Sequence, residues 1–233
     1  MLTIVKDYWT NFVHLFFPHT CIGCNADIMP EQFLCTQCLM QLPQTGFFEA
    51  ADNPVEQSFY GRVAIDAAAA AFYFTKQSLV QQLLFQLKYK GRQDVGVWLG
   101  QQIGHQLNIS KRFQPIDAII PLPLHPKKEK LRGYNQSTCI AKGIAEVLQK
   151  PVYTNVIVRN KFTQTQTQKN RVQRWENMND AFTIVEPEIL KQQNILLVDD
   201  VITTGATLEA CSNALLSVPV ASVQIATVAY TLL

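Results

Sequence analysis

No stretch of this sequence strings together the roughly 18 apolar residues that a membrane-crossing helix needs, so no membrane span is expected. Charge is scarce as well. Charged residues make up 16% and the net charge is +2, which gives no general reason to expect a nucleic-acid binder. A GxxxxGK[ST] loop is missing, which excludes the usual phosphate loop of nucleotide hydrolases. Apolar residues, at 48%, are too many for a disordered chain and suit one good α/β core with a small appendage. The six cysteines lack the pattern of a disulfide framework: four form two tight pairs near the amino end, and Cys139 and Cys211 stand alone in apolar, helical surroundings. The opening MLTIVKDYWTNFVHLFF resembles a secretion signal only at a glance. Lys6, Asp7 and His14 interrupt it, and no small-residue cleavage site follows. Ile4, Trp9, Phe12, Val13 and Phe16 recur at roughly helical spacing, so an amphipathic helix packed on the rest of a cytoplasmic protein is expected.

What is present centres on residues 195–207, ILLVDDVITTGAT. Ile195, Leu196, Leu197 and Val198 form a run too short for a helix and apolar enough for a strand buried on both faces. Asp199 and Asp200 follow at its end, then Thr203, Thr204, Gly205, Ala206 and Thr207, then helical spacing over 208–216. In open α/β sheets, ligands sit at such strand ends. Gly205 lets backbone approach a ligand, and the first N–H groups of the helix point outward unpaired. With the helix dipole and the hydroxyls of Thr203, Thr204 and Thr207 they make a cradle for one phosphate. The two carboxylates would repel that phosphate; they suit neutral hydroxyls or a Mg²⁺ held over them. A phosphate at one end and vicinal hydroxyls a short way off describe a ribose 5-phosphate. An ordinary strand–helix turn with an acidic rim would not need acids, threonines and glycine together in one frame.

Cys21 and Cys24, then Cys35 and Cys38, are two CxxC knuckles whose thiolates can close a tetrahedral site for a structural Zn²⁺. Gly23 is expected where the knuckle needs a permissive backbone. His19 is a conceivable substitute ligand, but the cysteines already fill the site. Pro43, Gly46, Pro54 and Gly61 mark linker and turns. A strand is expected over 64–74, helices over 79–87 and 94–107, a strand over 117–124 stiffened by its prolines, a helix over 134–148 opened by Gly133, a strand over 151–158, and a last strand from 223 onward.

Two basic stretches stand out. Lys88, Lys90 and Arg92 surround Gly91 at a helix end, where they either sit solvated or bind phosphate. His125, Lys127, Lys128, Lys130 and Arg132 crowd an expected loop beyond the proline-rich strand end. A basic loop opposite an acidic strand end is what a pyrophosphate needs. The stretch 161–171 is polar and lacks acids, and reads either as a lid over an anionic substrate, with Thr163, Gln166 and Arg174, or as a surface loop.

The 195–207 stretch resembles the phosphoribosyl-pyrophosphate (PRPP) signature of the type I phosphoribosyltransferases. The CxxC pairs, KYKGR (88–92), PLPLHP (121–126), RGYNQ (132–136), and Arg159, Thr163, Gln166, Arg174, Asn177, Ala181 and Phe182 resemble the ComF/GntX family in order and spacing. The resemblance implies an α/β, type I phosphoribosyltransferase-like fold, a mostly parallel sheet flanked by helices, with a small N-terminal zinc-ribbon-like module. It implies that Asp199 and Asp200 hold the ribose 2′- and 3′-hydroxyls, that residues 203–207 wrap the 5′-phosphate, and that Mg²⁺ accompanies PRPP. The division expected is 1–45 for the N-terminal helix and zinc module, 46–62 for a linker, and 63–233 for the main domain. The family is linked to bacterial competence, DNA uptake or the use of imported DNA. Two functions follow from the resemblance: transfer of phosphoribose to a nitrogen acceptor that it does not identify, or a non-catalytic module. The module would bind PRPP, a nucleotide or single-stranded DNA, and would dock a competence helicase or recombination mediator.

Overall fold

A computed structural model of the protein describes residues 19–113, 115–159 and 181–231. From the amino end these form α1 (Thr36–Met40), α2 (Pro54–Gln57), β1 (Ala67–Phe74), α3 (Leu79–Tyr89), α4 (Gln93–Ile109) and β2 (Ala118–Pro121). After them come α5 (Pro126–Arg132), α6 (Gln136–Leu148), β3 (Ile157–Arg159), β4 (Phe182–Ile184), α7 (Pro187–Leu190), β5 (Asn194–Ile202), α8 (Ala206–Leu216) and β6 (Ser222–Thr231). Four strands make one sheet in the order β1-β6-β5-β2, every pair parallel, and β3 pairs antiparallel with β4. In β5, Ile195, Leu196, Leu197 and Val198 are fully buried, as a strand covered on both faces requires.

The strand does not stop at its acids. Asp199 stands in register with Thr227 and Val201 with Ala229, so β6 carries the ladder past the carboxylates to Ile202. The expected basic loop is likewise partly a helix. His125 caps α5, Pro126 fits its first position, and Gly133, at φ +85°, ends it. Gly133 therefore closes a helix rather than opening one, and α6 begins after an Asn135 cap. In 151–158 only the end becomes strand; Val152 makes a single bridge to Ile119.

Helices α4 and α6 pack with backbones in contact. A Cβ at Gly100 would lie 2.0 Å from the Ile140 carbonyl oxygen, and one at Gly143 1.9 Å from that of Val97. Only glycine fits at either place. Residues 46–62, expected as linker and turns, do turn often, yet they pack tightly. Phe48, Val55 and Phe59 are buried to within 2% of full enclosure. Asn53 caps α2 and its amide reaches the Ala68 carbonyl at 2.8 Å, stapling the segment to β1. The turn signals are legible in the sequence; the aromatic anchors among them are not.

Candidate functional site

The carboxyl ends of β2 and β5 meet the amino ends of α6 and α8. Leu122, just past β2, donates its N–H to the Val198 carbonyl at 2.8 Å, and the Asn135 amide donates to the Leu122 carbonyl at 2.9 Å. These two bonds bring the first turn of α6 beside β5. There the Ser137 hydroxyl donates to Asp199 Oδ1 at 2.9 Å. Asp200, 6% exposed, faces Lys88 from the last turn of α3, with Nζ 2.9 Å from Oδ2. That contact is an ion pair without an aligned hydrogen bond. Desolvation, then the neighbouring charge of Asp200, pushes the Asp199 carboxyl up to about 7; the Asp200 N–H, Ser137 and Lys88 pull the other way.

The turn after β5 follows the expected frame. Gly205 caps α8 at φ +74°, in the left-handed region where a side chain is strained. Residues Val201, Ile202, Thr203, Thr204, Gly205, Ala206 and Thr207 line a small cavity of about 60 Å³ that Asp199 borders. Beneath it lies Phe59, whose ring a Cβ at Gly205 would meet at 3.1 Å. Arg62 braces the turn from the side, donating to the Thr204 carbonyl at 3.1 Å and pairing with Glu209 in the first turn of α8. Phe59 and Arg62 carry no sequence signal of this role, because nothing local ties residues 46–62 to the turn. Ser137 adjoins RGYNQ, and that neighbourhood is its only hint.

The basic residues do not form one cluster. Among the described basic residues, Lys88 alone reaches the acids. Lys90 lies over the Phe85 ring at 5.8 Å, and Arg132 over the Tyr89 ring at 5.8 Å while donating to the Gln136 side chain. The Arg132–Tyr89 contact does join the two basic stretches at the end of α3. Arg92 turns away to Asp94, at 2.8 Å, and to the Phe33 ring. His125 accepts the Lys127 N–H on Nδ1 at 3.2 Å as the cap of α5, and Lys127 is exposed. Thr163, Gln166 and Arg174, like the N-terminal segment 1–18, lie outside the described residues.

The four cysteines converge. Their sulfurs lie within 4.8 Å of one another, and Cys24 and Cys35 are 3.6 Å apart. Four sulfurs at the usual Zn–S distance stand about 3.8 Å apart around a tetrahedral ion, so the spacing fits. The Cys35 N–H donates to Cys21 Sγ at 3.3 Å. Burial pushes Cys21 up, but backbone N–H bonds led by that of Cys35 outweigh it and bring the thiol down to about 6. Burial and the neighbouring thiols push Cys38 up to about 12. Thiolates this close oppose each other's ionisation unless a cation joins them. Gly23 serves space rather than freedom: a Cβ there would press Cys38 Sγ at 2.9 Å, and the left-handed position of the knuckle belongs to Asn25, at φ +59°.

A model of the phosphoribosyl transferase domain matches residues 135–232. The chain is 28% identical to competence protein F of Haemophilus influenzae over 210 residues, covering 90% of this chain and 83% of that protein. It is 27% identical to the DNA utilization protein YhgH of Escherichia coli O157:H7 over 230 residues, covering 97% of both. Among solved structures, the glutamine PRPP amidotransferase from B. subtilis complexed with ADP and GMP aligns at a TM-score of 0.44 and 18% identity, over 61% of this chain and 30% of that one. This chain thus spans under a third of that enzyme's length. The parallel sheet, the turn after β5 and the matched domain agree on a type I phosphoribosyltransferase-like fold, here joined to a four-cysteine module. The chain carries a phosphoribosyl transferase domain over residues 135–232 and is similar along nearly its whole length to competence protein F and to the DNA utilization protein YhgH.

Proposed function

We propose that the protein binds PRPP across the ends of β2 and β5 and transfers its phosphoribosyl group to a nitrogen acceptor. One observation carries this reading: the threonine-lined cavity under the α8 amino end lies beside two carboxylates on the same strand end. The 5′-phosphate sits in the cavity, receiving N–H groups of the turn and the hydroxyls of Thr203, Thr204 and Thr207. Asp199 and Asp200 accept hydrogen bonds from the ribose 2′- and 3′-hydroxyls, and Ser137 fixes Asp199 for that task. The oxygen donors of the acid pair fit Mg²⁺, which supplies charge neutralisation for the departing pyrophosphate. An acceptor nitrogen gives its lone pair to ribose C1 as the C1–O bond to pyrophosphate breaks. The bonding electrons leave with pyrophosphate, and the acceptor loses its proton to solvent. The basic side chains at the end of α3 and along α5 meet the leaving group. At the other end, Cys21, Cys24, Cys35 and Cys38 hold a structural Zn²⁺.

Calorimetric titration of PRPP with Mg²⁺ into wild type and into Asp199→Asn/Asp200→Asn tests the site. Binding by the wild type that the variant loses supports it; no binding to the wild type at millimolar ligand refutes it. A second reading keeps the ligand and drops the turnover. Met29, Leu39 and Met40 of the four-cysteine module are 72%, 43% and 82% exposed, apolar side chains open to a protein partner. In that reading the relatives' names, competence and DNA utilization, describe the machinery in which a ligand-sensing module sits. Pyrophosphate release with a panel of nitrogen acceptors separates the two.

A further inference from the structure

The Lys88–Asp200 contact sits where the proposed ligand must go. A lysine at 2.9 Å from Oδ2, on an aspartate 6% exposed, leaves that oxygen no room for a divalent cation or a ribose hydroxyl. The pair also lacks an aligned hydrogen bond, so nothing directional holds the ammonium there. Lys88 lies in the last turn of α3, its side chain is 23% exposed, and its four-carbon stem lets the charge move without the helix. Two other cations stand at the same helix end, Lys90 over Phe85 and Arg132 over Tyr89. An anionic group arriving beside them would find donors there already.

We propose, resting on the phosphoribosyl reading above, that Lys88 is an exchange residue: it neutralises Asp200 in the free protein and yields that oxygen to the incoming ligand and cation. On leaving, the ammonium takes the pyrophosphate end of the ligand. One lysine thus keeps two carboxylates tolerable when the site is empty and supplies a positive charge when it is filled. A divalent cation alone competes with Lys88 and binds weakly. A cation that arrives with pyrophosphate gives the displaced ammonium a new partner. The exchange selects the pyrophosphate-bearing ligand over the free metal and over ribose 5-phosphate.

The test compares wild type, Lys88→Met and Lys88→Arg, each checked for an unchanged circular dichroism spectrum. The probes are Mn²⁺ alone, followed by its electron paramagnetic resonance signal, then ribose 5-phosphate and PRPP with Mg²⁺ by calorimetry. Lys88→Met is expected to bind Mn²⁺ alone roughly tenfold more tightly, to bind ribose 5-phosphate at least as tightly as the wild type does, and to bind PRPP roughly tenfold more weakly. Lys88→Arg keeps the pair and behaves as the wild type toward Mn²⁺. It remains the deciding variant should Lys88→Met misfold, since Mn²⁺ binding tightened by arginine would contradict competition by a resident cation. Mn²⁺ affinity unchanged or weakened in Lys88→Met overturns the exchange, and so does unchanged PRPP affinity. If ribose 5-phosphate binds the wild type while those outcomes occur, the exchange fails alone. If neither ribose 5-phosphate nor PRPP binds any of the three proteins, the phosphoribosyl reading fails and takes the exchange with it.

Discussion

The four-cysteine cluster and the turn between β5 and α8 face one physical problem: each holds acidic groups close enough to repel. They solve it by opposite means. The cluster draws all four sulfurs from residues 21–38, and the compensation proposed for it is a cation from outside. The turn draws its support from the whole chain, with Ser137 on Asp199, Lys88 on Asp200, Phe59 beneath Gly205 and Arg62 across to Glu209. A site built from neighbours in sequence depends on its ion. A site assembled from distant elements depends on the fold.

Stripping the metal is therefore the strongest way to separate the two regions. Structural zinc sites contribute on the order of 10 kcal/mol to the segment they hold. A chelator, or Cys24→Ser, is expected to lower the melting temperature and to speed protease cleavage within residues 19–42 without unfolding them outright, with zinc release read by a colorimetric indicator. PRPP affinity should fall less than in the acid-pair variant. An equal loss would show that the cluster holds up the distant turn as well.

Phe59→Ala attacks the turn through the fold. Removing a fully buried phenylalanine costs about 3–5 kcal/mol, measurable by denaturant unfolding. Phosphate affinity should fall with it, since the ring underlies Gly205 at 3.1 Å for an added Cβ. A stable variant with unchanged affinity would sever the turn from the 46–62 segment. Asp199→Asn/Asp200→Asn acts on the site itself, with PRPP affinity expected to drop by roughly a hundredfold, about 2.7 kcal/mol. Stability should barely fall, for the repulsion leaves with the charges. Arg62→Ala is the gentler probe. It removes a partly exposed ion pair and one hydrogen bond to Thr204, so roughly 1 kcal/mol of stability and a few-fold of affinity are expected.

The same contrast separates what is legible in the amino-acid sequence from what is not. The cysteine spacing and the ILLVDD–TTGAT frame are local, and both fold where their residues point. The parallel strands are visible because burial on both faces leaves unbroken apolar runs. Pairing between distant residues leaves no such trace. Lys88 stands in a charge cluster that reads equally as a solvated helix end or a phosphate site, and nothing in KYKGR says that Asp200 takes it. Phe59 and Arg62 hide in a stretch punctuated like a linker. Helix α5 is the one local exception: Pro126 at its start and Gly133 at its end are helix signals, masked by the strongly basic run between them.

The finest comparison is one of slopes, because the two regions should respond to pH with opposite signs. In metal-free, ligand-free protein, Asp199 titrates near 7 against 3.8 in the unfolded chain. The folded state then holds a proton that the unfolded state has lost, so its stabilising share is complete below 3.8 and fades as pH rises through about 7. Cys21 runs the other way. Its thiol is lowered from 9.0 to about 6, so its share is complete above 9.0 and is lost as pH falls through about 6. Unfolding free energies of wild type, Asp199→Asn and Cys21→Ser, measured by denaturant across that range, separate the slopes. Asp199→Asn should remove the decline on the acid side and leave the cysteine slope intact; Cys21→Ser should do the reverse. Asp200→Asn should only flatten the Asp199 slope, because desolvation remains after the neighbouring charge is gone. If Asp199→Asn leaves the acid-side slope unchanged, the proton is not held at the acid pair, and the turn would then balance its charges through Lys88 alone.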